Sequence, residues 1–346
     1  LNALTDVPGI EVGHVTLISD EEKTVRSGLT SILPQGKKAL WKNAFFAGSY
    51  VLNGYGEMTG RGWLEESGLL SSPICLTSFF GIGAAHNGVV QVCDDITTHS
   101  NTHPVVIETF DGWLTDETAS AVKPEHVAEA IDKAHSGPVE EGCVGGGTGM
   151  CTHDFKSGIG SSSRVVTIGG KEYTVGVLVQ SNYGDRADLR IDGIPIGKAI
   201  GDDLVPIPER KRIRPEEDGS IAVVIATDAP LLPGQCERLA RRGPLGLARV
   251  GGFAHGGSGD YFVAFSTANT IPVGTTTEIS GIKMIGQTKL DSLFHAVVEA
   301  TEEAILNSLC MAQTMTGQKN RTVHAMPLDR VSELLASYTY GATKNL

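Results

Sequence analysis

Glycine is the residue type that most constrains this chain, because 43 of its 346 residues are glycine. A glycine lets the backbone adopt conformations closed to other residues, or lets another backbone approach closely. So many glycines predict numerous tight turns and close contacts between elements. The chain is therefore expected to form a compact α/β protein with an elaborate site rather than a helical bundle. Its length suffices for one large domain or two ordinary ones.

The net charge and the cysteine usage limit the partners and the compartment. A formal net charge of -12 disfavours nucleic acid and anionic membranes, which require clustered Lys and Arg. No apolar run approaches the roughly 18 residues of a membrane span. The six cysteines lack a paired spacing, which favours a reducing compartment over a disulfide framework. We therefore expect a cytoplasmic protein, or a periplasmic one if a signal peptide preceded Leu1.

The segment from Pro215 to Pro230 changes character sharply at Ser220. Acidic and turn-forming residues end at Gly219, and the β-branched and small residues that follow predict a buried strand. A hydroxyl beside a glycine carbonyl is able to attack it in an N-to-O acyl shift. Hydrolysis of the ester would leave Ser220 as a new N-terminus whose own amine acts as a base. On these residues alone, Asp218-Gly219-Ser220 favours an ordinary turn.

Two further groups of polar residues lie at predicted strand ends. Glu108 and Asp111 follow a short β-branched run and have aromatic neighbours, which suits a small-molecule pocket. Asp111 is also interpreted as the cap of a turn. Ser258 and Asp260 are two residues apart at a strand entrance, so their side chains can face the same side. His255 lies close enough in sequence to suggest a Ser-His-Asp triad instead.

Dinucleotide and metal sites are poorly supported. The glycines of residues 81–88 lack the dinucleotide-binding spacing, and no Walker sequence is present. His99 and His103, with Asp94 or Asp95 nearby, suggest a metal site, but their neighbours are poor helix formers and favour a loop. We therefore expect no metal or organic cofactor.

The glycine-rich segment 142–149 has two interpretations. Its successive backbone amides would suit an anion-binding nest, whereas its small residues would equally allow close backbone packing. Cys143 and Cys151 adjoin the segment, but no His and carboxylate pair is marked out for either. They are interpreted as small buried residues rather than nucleophiles.

Periodicity predicts several elements. Two β-branched runs joined at Gly169-Gly170 predict a hairpin over residues 164–180, which places Asn182 at the end of a strand, where an amide can donate to an oxyanion. A buried strand is predicted over residues 73–83, and a glycine-rich loop within residues 45–60. Helical periodicity is found at residues 124–135, 230–249 with a break at Gly243-Pro244, 290–309 and 328–335.

Several separated motifs, spread over most of the chain, resemble one family of self-processing hydrolases. They are residues 4–15, Asn53-Gly54-x-Gly56-Glu57-x-Thr59-Gly60, Glu108-Thr109-Phe110-Asp111-Gly112, residues 142–149, Gln180-x-Asn182-Tyr183-Gly184, the Gly219-Ser220 segment and Ser258-x-Asp260. Together they resemble the L-aminopeptidase/D-esterase (DmpA-type) family, which includes the β-peptidyl aminopeptidases.

The resemblance implies an αββα sandwich in a single domain covering residues 1–346. It implies cleavage between Gly219 and Ser220, which gives chains 1–219 and 220–346, with Ser220 as the nucleophile. Asn182 would then stabilise the oxyanion. An Asn-Thr pair at Asn269-Thr270 is similar to processing sites in relatives, but the context of Ser220 is better.

The resemblance also implies roles for residues beside the nucleophile. The Ser258-Asp260 pair would orient and polarise the nucleophile, and Glu108 would receive the amino group of the substrate. Some members have a catalytic tyrosine at the position of Phe110, which has no hydroxyl here. A phenol-assisted step is therefore not expected in this chain.

The leading hypothesis is thus a serine aminopeptidase or amidase that acts on small peptides, amino-amides or esters, including those of D- or β-amino acids. By the same resemblance it would form a homo-oligomer, a tetramer of processed units. Acyl transfer to an amine remains an alternative. A non-catalytic small-molecule binding protein would keep Gly219-Ser220 intact, and a metal hydrolase would depend on His99 and His103.

Overall fold

The computed structural model describes residues 1–93, 103–208, 219–273 and 281–343. The strands are β1 (Glu11–Ser19), β2 (Val25–Leu33), β3 (Asn43–Gly54), β4 (Leu69–Leu70), β5 (Ile74–Ser78), β6 (Val105–Thr109), β7 (Cys151–Thr152), β8 (Phe155–Lys156), β9 (Ile159–Ile168), β10 (Lys171–Tyr183), β11 (Gly219–Thr227), β12 (Gly259–Pro272), β13 (Met315–Thr316) and β14 (Thr322–Val323). The helices are α1 (Gly36–Ala39), α2 (Arg61–Ser67), α3 (Ile82–Val92), α4 (Glu125–Lys133), α5 (Ile196–Ala199), α6 (Pro233–Ala240), α7 (Gly243–Arg249), α8 (Asp291–Cys310) and α9 (Leu328–Thr343).

Two sheets face each other, and helices cover their outer faces. The smaller sheet has the order β1-β2-β5-β6 and the larger one the order β4-β3-β12-β11-β10-β9. Apolar side chains of both sheets fill the space between them, for example Ile32 and Ile107 opposite Val224 and Val263. Helices α3 and α4 pack on the smaller sheet, and α6, α7 and α8 pack on the larger one. The predicted αββα sandwich is confirmed.

Strand β11 is central in the larger sheet. It pairs with β10 in antiparallel fashion and with β12 in parallel fashion. Every residue from Ile221 to Ala226 is completely buried, because one face of the strand meets the smaller sheet and the other meets the helices. A near-continuous apolar run is typical of such a doubly covered strand, so the predicted strand after Ser220 is confirmed.

Several local predictions are also confirmed. Strands β9 and β10 form the predicted hairpin, and Gly169 and Gly170 both adopt the positive φ that its tight turn requires. Helices α4, α8 and α9 lie where the periodicity indicates, and α6 and α7 are separated just before Gly243. Among the described helices, none is both long and apolar enough to cross a membrane.

Two local predictions were wrong. The loop predicted within residues 45–60 is strand β3 as far as Gly54, and Gly48 within it lies where the backbone of Glu237 leaves no room for a Cβ. The strand predicted over residues 73–83 ends at Ser78; Gly81 ends a short 3-10 helix, and Gly83 and Gly88 belong to helix α3. Gly88 is required there because a Cβ would lie 2.4 Å from the carbonyl oxygen of Pro124. Close packing between α3 and α4, rather than a turn, accounts for that glycine.

Candidate active site

Ser220 lies at the start of β11 and lines a large cavity of about 600 Å³. Its neighbours in the sheet are Asn182 of β10 and Gly259 of β12. The residue is 3% exposed, so its hydroxyl meets the cavity but little bulk solvent. The N–H of Phe110 points at this hydroxyl, with 3.3 Å between Phe110 N and Ser220 Oγ. The carboxyl end of β6 in the smaller sheet therefore contacts the start of β11 beside the cavity.

Gly219 has a backbone conformation that other residues rarely adopt. Its φ is +91°, and a Cβ there would lie 2.1 Å from the carbonyl oxygen of Asn182 and 2.6 Å from Cα of Tyr183. Only glycine fits both the dihedral angle and the space. The Gly219-Ser220 bond therefore lies in close contact with β10, at the edge of the cavity that Ser220 lines.

Asn182 presents its side-chain amide beside Ser220. Its Oδ1 accepts a hydrogen bond from the N–H of Cys151 at 2.9 Å, which leaves Nδ2 as the donor for the cavity that Asn182 lines. The side chain is 3% exposed and its strand is held on both sides. A fixed amide donor next to a hydroxyl is suited to stabilising an oxyanion that develops there.

Glu108 supplies a buried carboxylate on the same cavity. It is 3% exposed, and its Oε1 accepts a hydrogen bond from the N–H of Glu57 at 3.1 Å. Burial raises the pKa of Glu108 to about 7; the charges of Asp111 and Glu57 add to this, and the Glu57 hydrogen bond opposes it. A cationic amine would relieve this destabilised charge, so the carboxylate is suited to binding an ammonium group.

The cavity wall contains residues that the sequence did not single out. Its aromatic side chains are those of Tyr55, Phe79, Phe80, Phe110 and Trp113. Its carboxylates are Glu57, Glu108 and Glu117, and none of the described lining residues is Lys, Arg or His. The cavity is therefore acidic and aromatic, a combination that favours organic cations. The sequence indicated Glu108 and Phe110, whereas Tyr55, Phe79, Phe80 and Glu117 converge on them only in three dimensions, so no local sequence signal indicated those four.

Ser258 and Asp260 contact each other, as their spacing allows. Ser258 Oγ donates to Asp260 Oδ1 at 2.7 Å, and Asn53 Nδ2 donates to Asp260 Oδ2 at 3.2 Å. Burial raises the pKa of Asp260 to about 6, although both hydrogen bonds oppose the shift. The pair does not line the large cavity. It lines a small adjacent cavity of about 10 Å³, while the neighbouring Gly257 lines the large one.

The competing assignments find little support in the geometry. Ser258 donates directly to Asp260, so His255, which borders the small cavity, does not mediate between them. Asn269 uses its side chain to hold the backbone of Lys283, with Asn269 Nδ2 donating to the Lys283 carbonyl at 2.8 Å. Thr270 lies in β12, where it pairs with Phe45 of β3. It is far along β12 from Gly259, the residue that pairs with Ser220.

The glycine-rich segment 142–149 serves close packing rather than anion binding. The N–H of Gly145 donates to Thr16 Oγ1 at 2.9 Å, and that of Gly146 donates to Thr30 Oγ1 at 3.1 Å. A Cβ on Gly146 would lie 1.9 Å from the side-chain oxygen of Gln180. These amides are thus already bonded within the protein.

The prediction that the Asp111 side chain caps a turn was wrong, because the backbone of Asp111 makes the hydrogen bonds of that turn. The backbone carbonyl of Asp111 accepts hydrogen bonds from Leu114 and Thr115, whereas its carboxylate is completely buried and has no hydrogen-bond partner within the described part of the chain. Of the residues considered for a metal, His103 packs on the ring of Trp63 at a centroid distance of 5.3 Å. Asp94, Asp95 and His99 lie outside the described residues, so the metal hypothesis stays untested.

Comparison with known structures gives the class of this protein. The structure of an L-aminopeptidase D-Ala-esterase/amidase from Ochrobactrum anthropi superposes with a TM-score of 0.91 at 39% identity, covering 98% of this chain and 94% of that one. That enzyme is described as a prototype of the serine aminopeptidases and a variant of the Ntn hydrolase fold. A β-aminopeptidase from Burkholderia sp. superposes with a TM-score of 0.88 at 41% identity, covering 97% of this chain and 94% of that one. The fold is thus that of an N-terminal-nucleophile-type hydrolase.

Sequence comparison gives the family. The model of Peptidase family S58 matches residues 2–323. The β-peptidyl aminopeptidase BapA of Sphingosinicella microcystinivorans is 43% identical, with 97% of this chain and 88% of that protein aligned. BapA of Sphingosinicella xenopeptidilytica is 44% identical, with 97% and 87% aligned. The chain belongs to Peptidase family S58, and it is a hydrolase of the serine aminopeptidase type, as the motifs predict.

Proposed function

We propose that this chain cleaves itself between Gly219 and Ser220, and that Ser220 then removes the N-terminal residue from small β-amino-acid-containing peptides and amides. The observation that carries the proposal is the position of Ser220. Its hydroxyl lines a large acidic cavity directly after a glycine that leaves no room for a side chain. A serine that was merely part of a turn would not require this combination.

The processing step follows from the Gly219-Ser220 geometry. Ser220 Oγ attacks the Gly219 carbonyl carbon, a C–O bond forms, the C–N bond breaks, and the hydroxyl proton passes to the nitrogen. Water then hydrolyses the ester, which yields a carboxylate on Gly219 and restores the Ser220 hydroxyl. Asn182 Nδ2 is the donor for the oxyanion of both steps, because its Oδ1 is already occupied by the N–H of Cys151.

Peptide hydrolysis uses the same groups once Ser220 is an N-terminus. Its hydroxyl attacks the substrate carbonyl carbon, and its own amine takes the hydroxyl proton. The C–N bond then breaks, the leaving amine takes that proton, and the acyl-enzyme that remains is hydrolysed by water, which restores the Ser220 hydroxyl. The hydrogen-bonded Ser258–Asp260 pair positions the amine and the hydroxyl of Ser220. Gly259, which lies between Ser258 and Asp260, is the partner of Ser220 in the parallel pairing of β11 with β12.

Substrate recognition follows from Glu108 and from the charge of the cavity. Glu108 binds the ammonium group of the substrate, which satisfies a carboxylate otherwise held in an unfavourable buried position. An acidic and aromatic wall accommodates a cationic amino group on a flexible chain. The β-amino acid preference is supported by the names of the Sphingosinicella and Burkholderia relatives.

The first test compares intact masses under denaturing conditions. Wild type should give two masses, those of residues 1–219 and 220–346, whereas Ser220→Ala should give one full-length mass. Ser67→Ala, on helix α2 outside the cavity, is the matched control and should still be cleaved. A single full-length mass for the wild type would remove the processing proposal.

The second test uses p-nitroanilides of β-homoalanine, L-alanine and D-alanine. Processed wild type should release nitroaniline fastest from the β-homoalanine derivative, and Ser220→Ala should release none. Adding a small amine tests acyl transfer, because a transferase forms the amide product in place of the free acid. Faster cleavage of the L-alanine derivative would contradict the proposed substrate preference.

We also propose that the processed protein assembles as a homotetramer, as the resemblance to the family implies. Exposed apolar side chains such as Tyr55 and Phe253 are compatible with contacts between copies. Light scattering during size-exclusion chromatography measures the mass of the particle. A particle about four times the 36.5 kDa of the chain supports the tetramer, and a monomer contradicts it.

A further inference from the structure

Tyr183 is a buried polar side chain that the proposed mechanism does not use. It is the last residue of β10 and follows Asn182. Because successive side chains of a strand point to opposite faces, Asn182 lines the large cavity while Tyr183 joins the core on the helical side of the sheet. Tyr183 is 4% exposed, and its hydroxyl has no hydrogen-bond partner within the described ranges of the chain. Such an unpaired buried hydroxyl is costly and calls for a reason.

Tyr183 lines a small cavity together with the Ser258–Asp260 pair. This cavity of about 10 Å³ is also bordered by His255 and Leu247. Its volume is close to what one water molecule requires, and its wall supplies the two or more polar partners that a buried water needs. One water there would accept from the Tyr183 hydroxyl and donate to the Asp260 carboxylate.

Asp260 is the group that such a water would affect. Its carboxylate already accepts hydrogen bonds from Ser258 and Asn53. The titratable groups that face it are His255, whose charge lowers its pKa, and the phenols of Tyr183 and Tyr261. Burial outweighs the two hydrogen bonds and makes the charged form of Asp260 hard to maintain. A further donor would stabilise that charged form.

We propose that Tyr183 is a positioning residue, whose hydroxyl acts through one buried water to keep Asp260 charged as the acceptor for Ser258. With Asp260 charged, the Ser258 hydroxyl donates to Asp260, which leaves the Ser258 lone pairs free to accept from groups beside Gly259, the strand partner of Ser220. This inference rests on the proposed function in assigning the Ser258–Asp260 pair to Ser220.

The phenol ring itself is fixed by contacts that phenylalanine would keep. The ring of His153 meets it edge-on at a centroid distance of 5.0 Å. On another side, a Cβ on Gly252 would lie 3.0 Å from Tyr183 Cε2. Tyr183→Phe therefore removes the hydroxyl while leaving the packing in place, which makes it a specific probe.

The first experiment measures kcat against pH at saturating substrate, where the bound ammonium group keeps Glu108 charged, for Tyr183→Phe and for wild type. We expect the acid limb to move up by about 0.5–1 pH unit, the equivalent of one hydrogen bond to the charged form. The plateau at high pH should change less than threefold. Tyr173→Phe, in the same strand but remote from the cavity, is the matched control and should keep the wild-type profile. An unshifted acid limb in Tyr183→Phe overturns the proposal.

The second experiment does not depend on activity. In a Ser220→Ala background, which stays uncut if the processing proposal holds, urea unfolding is measured for Tyr183→Phe, Asp260→Asn and the double variant at pH 7.5. Coupling through the water predicts that the double variant loses at least fivefold less in the unfolding equilibrium constant than the product of the single effects. Additive effects would show that Tyr183 does not act through Asp260, whatever Ser220 does.

Discussion

At the scale of single residues, Gly219 gives the sharpest prediction. Gly219→Ala would force a Cβ to within 2.1 Å of the Asn182 carbonyl oxygen at a φ of +91°. The start of β11 must then move, and Ser220 and Asn182 lose their alignment. We expect self-cleavage to slow by at least tenfold and stability to fall by about 1–3 kcal/mol. The measurements are the cleaved fraction over time by mass spectrometry and urea unfolding of the uncut protein.

Gly234→Ala is the matched control for that substitution. Gly234 lies in helix α6, its Cβ would meet no atom within 4 Å, and its φ is not positive. Alanine is favoured over glycine in a helix, so this variant should be cleaved normally and be slightly more stable. Equal behaviour of the two variants would contradict the requirement for glycine at the cleavage point.

Glu108 gives a prediction about pH. Because burial raises its pKa to about 7, the carboxylate of the empty enzyme is largely protonated below that pH and charged above it. Binding of an ammonium substrate should therefore strengthen, and KM fall, as the pH rises through about 7. Glu108→Gln should raise KM by about 10–100-fold, since it loses a charge-assisted hydrogen bond, and should flatten this limb. Glu66→Gln, outside the cavity, should match wild type in steady-state kinetics at each pH.

The sequence predicted the reacting residues better than it predicted the other residues that line the cavity. Ser220 and Asn182 each occupy a local context, a loop entering a buried strand and the end of a hairpin, that sequence patterns describe. Phe79 and Glu117 reach the cavity from two short 3-10 helices, Phe79–Gly81 and Glu117–Ala119, whose positions depend on how the two sheets meet. No local pattern carries that information, so these residues could not be predicted.

At the scale of elements, Arg186 holds the segment that precedes the cleavage point against the turn between β7 and β8. Its buried guanidinium donates to the carbonyl oxygens of His153, Asp154, Ile200 and Val205. It also lies 3.7 Å from the ring centre of Phe155. One side chain thus joins residues 185–205 to the β7–β8 turn.

Arg186→Met should destabilise the protein by about 2–4 kcal/mol, because several buried carbonyl groups lose their donor. It should also open residues 187–208 to limited proteolysis before global unfolding. Arg190→Met is the control within the same segment, since the Arg190 side chain is exposed and its guanidinium donates to the nearby Gly193 carbonyl. Equal protease sensitivity of the two variants would show that the segment is held by other contacts.

Elements with a clear period were predictable, and those with glycine at contacts were not. Helix α4 and the β9–β10 hairpin have apolar spacing and turn residues that agree with their final structure. Helix α3 and strand β3 contain glycines at points where other elements approach, as at Gly48, where a Cβ would lie 2.4 Å from the backbone nitrogen of Glu237. A sequence alone does not distinguish these glycines from those of a turn.

At the scale of the whole molecule, Asp111 couples stability to pH. Complete burial raises its pKa to about 7 from an ordinary value of 3.8, although the nearby hydroxyls of Ser27, Ser78 and Thr115, which lie outside hydrogen-bond geometry, partly offset the shift. The folded protein therefore keeps a proton that the unfolded chain releases between about pH 4 and pH 7. The contribution of Asp111 to stability is fully present below that window and is lost as the pH rises through it.

Asp111→Asn stays neutral at every pH and should escape this loss. Relative to wild type, its free energy of unfolding should rise by about 2–4 kcal/mol between pH 4 and pH 8. Urea unfolding across that range measures the difference, and Asp132→Asn on the exposed part of α4 should follow the wild-type curve. A constant difference for Asp111→Asn would mean that Asp111 is charged in the folded protein at all these pH values.

The arrangement of the two sheets was not predictable from periodicity. Alternating strands and helices allow many α/β architectures, and the choice of an αββα sandwich came from the resemblance of separated motifs to one family. Pairings such as β3 with β12, distant in sequence, depend on how the whole chain collapses rather than on local preference.

The strand order has a consequence for a protein that has been cut once. Strands β11 and β12 follow the cleavage point in the chain, whereas β3 and β10 precede it. In the sheet, β11 and β12 lie side by side between β3 and β10. Separating the halves would mean unzipping two rows of interstrand hydrogen bonds in the middle of a sheet. A molecule nicked at Ser220 should therefore migrate, crystallise and melt as one body, with the break visible only after denaturation. Two halves made as separate polypeptides would each expose open strand edges, and each should aggregate unless its complement is present.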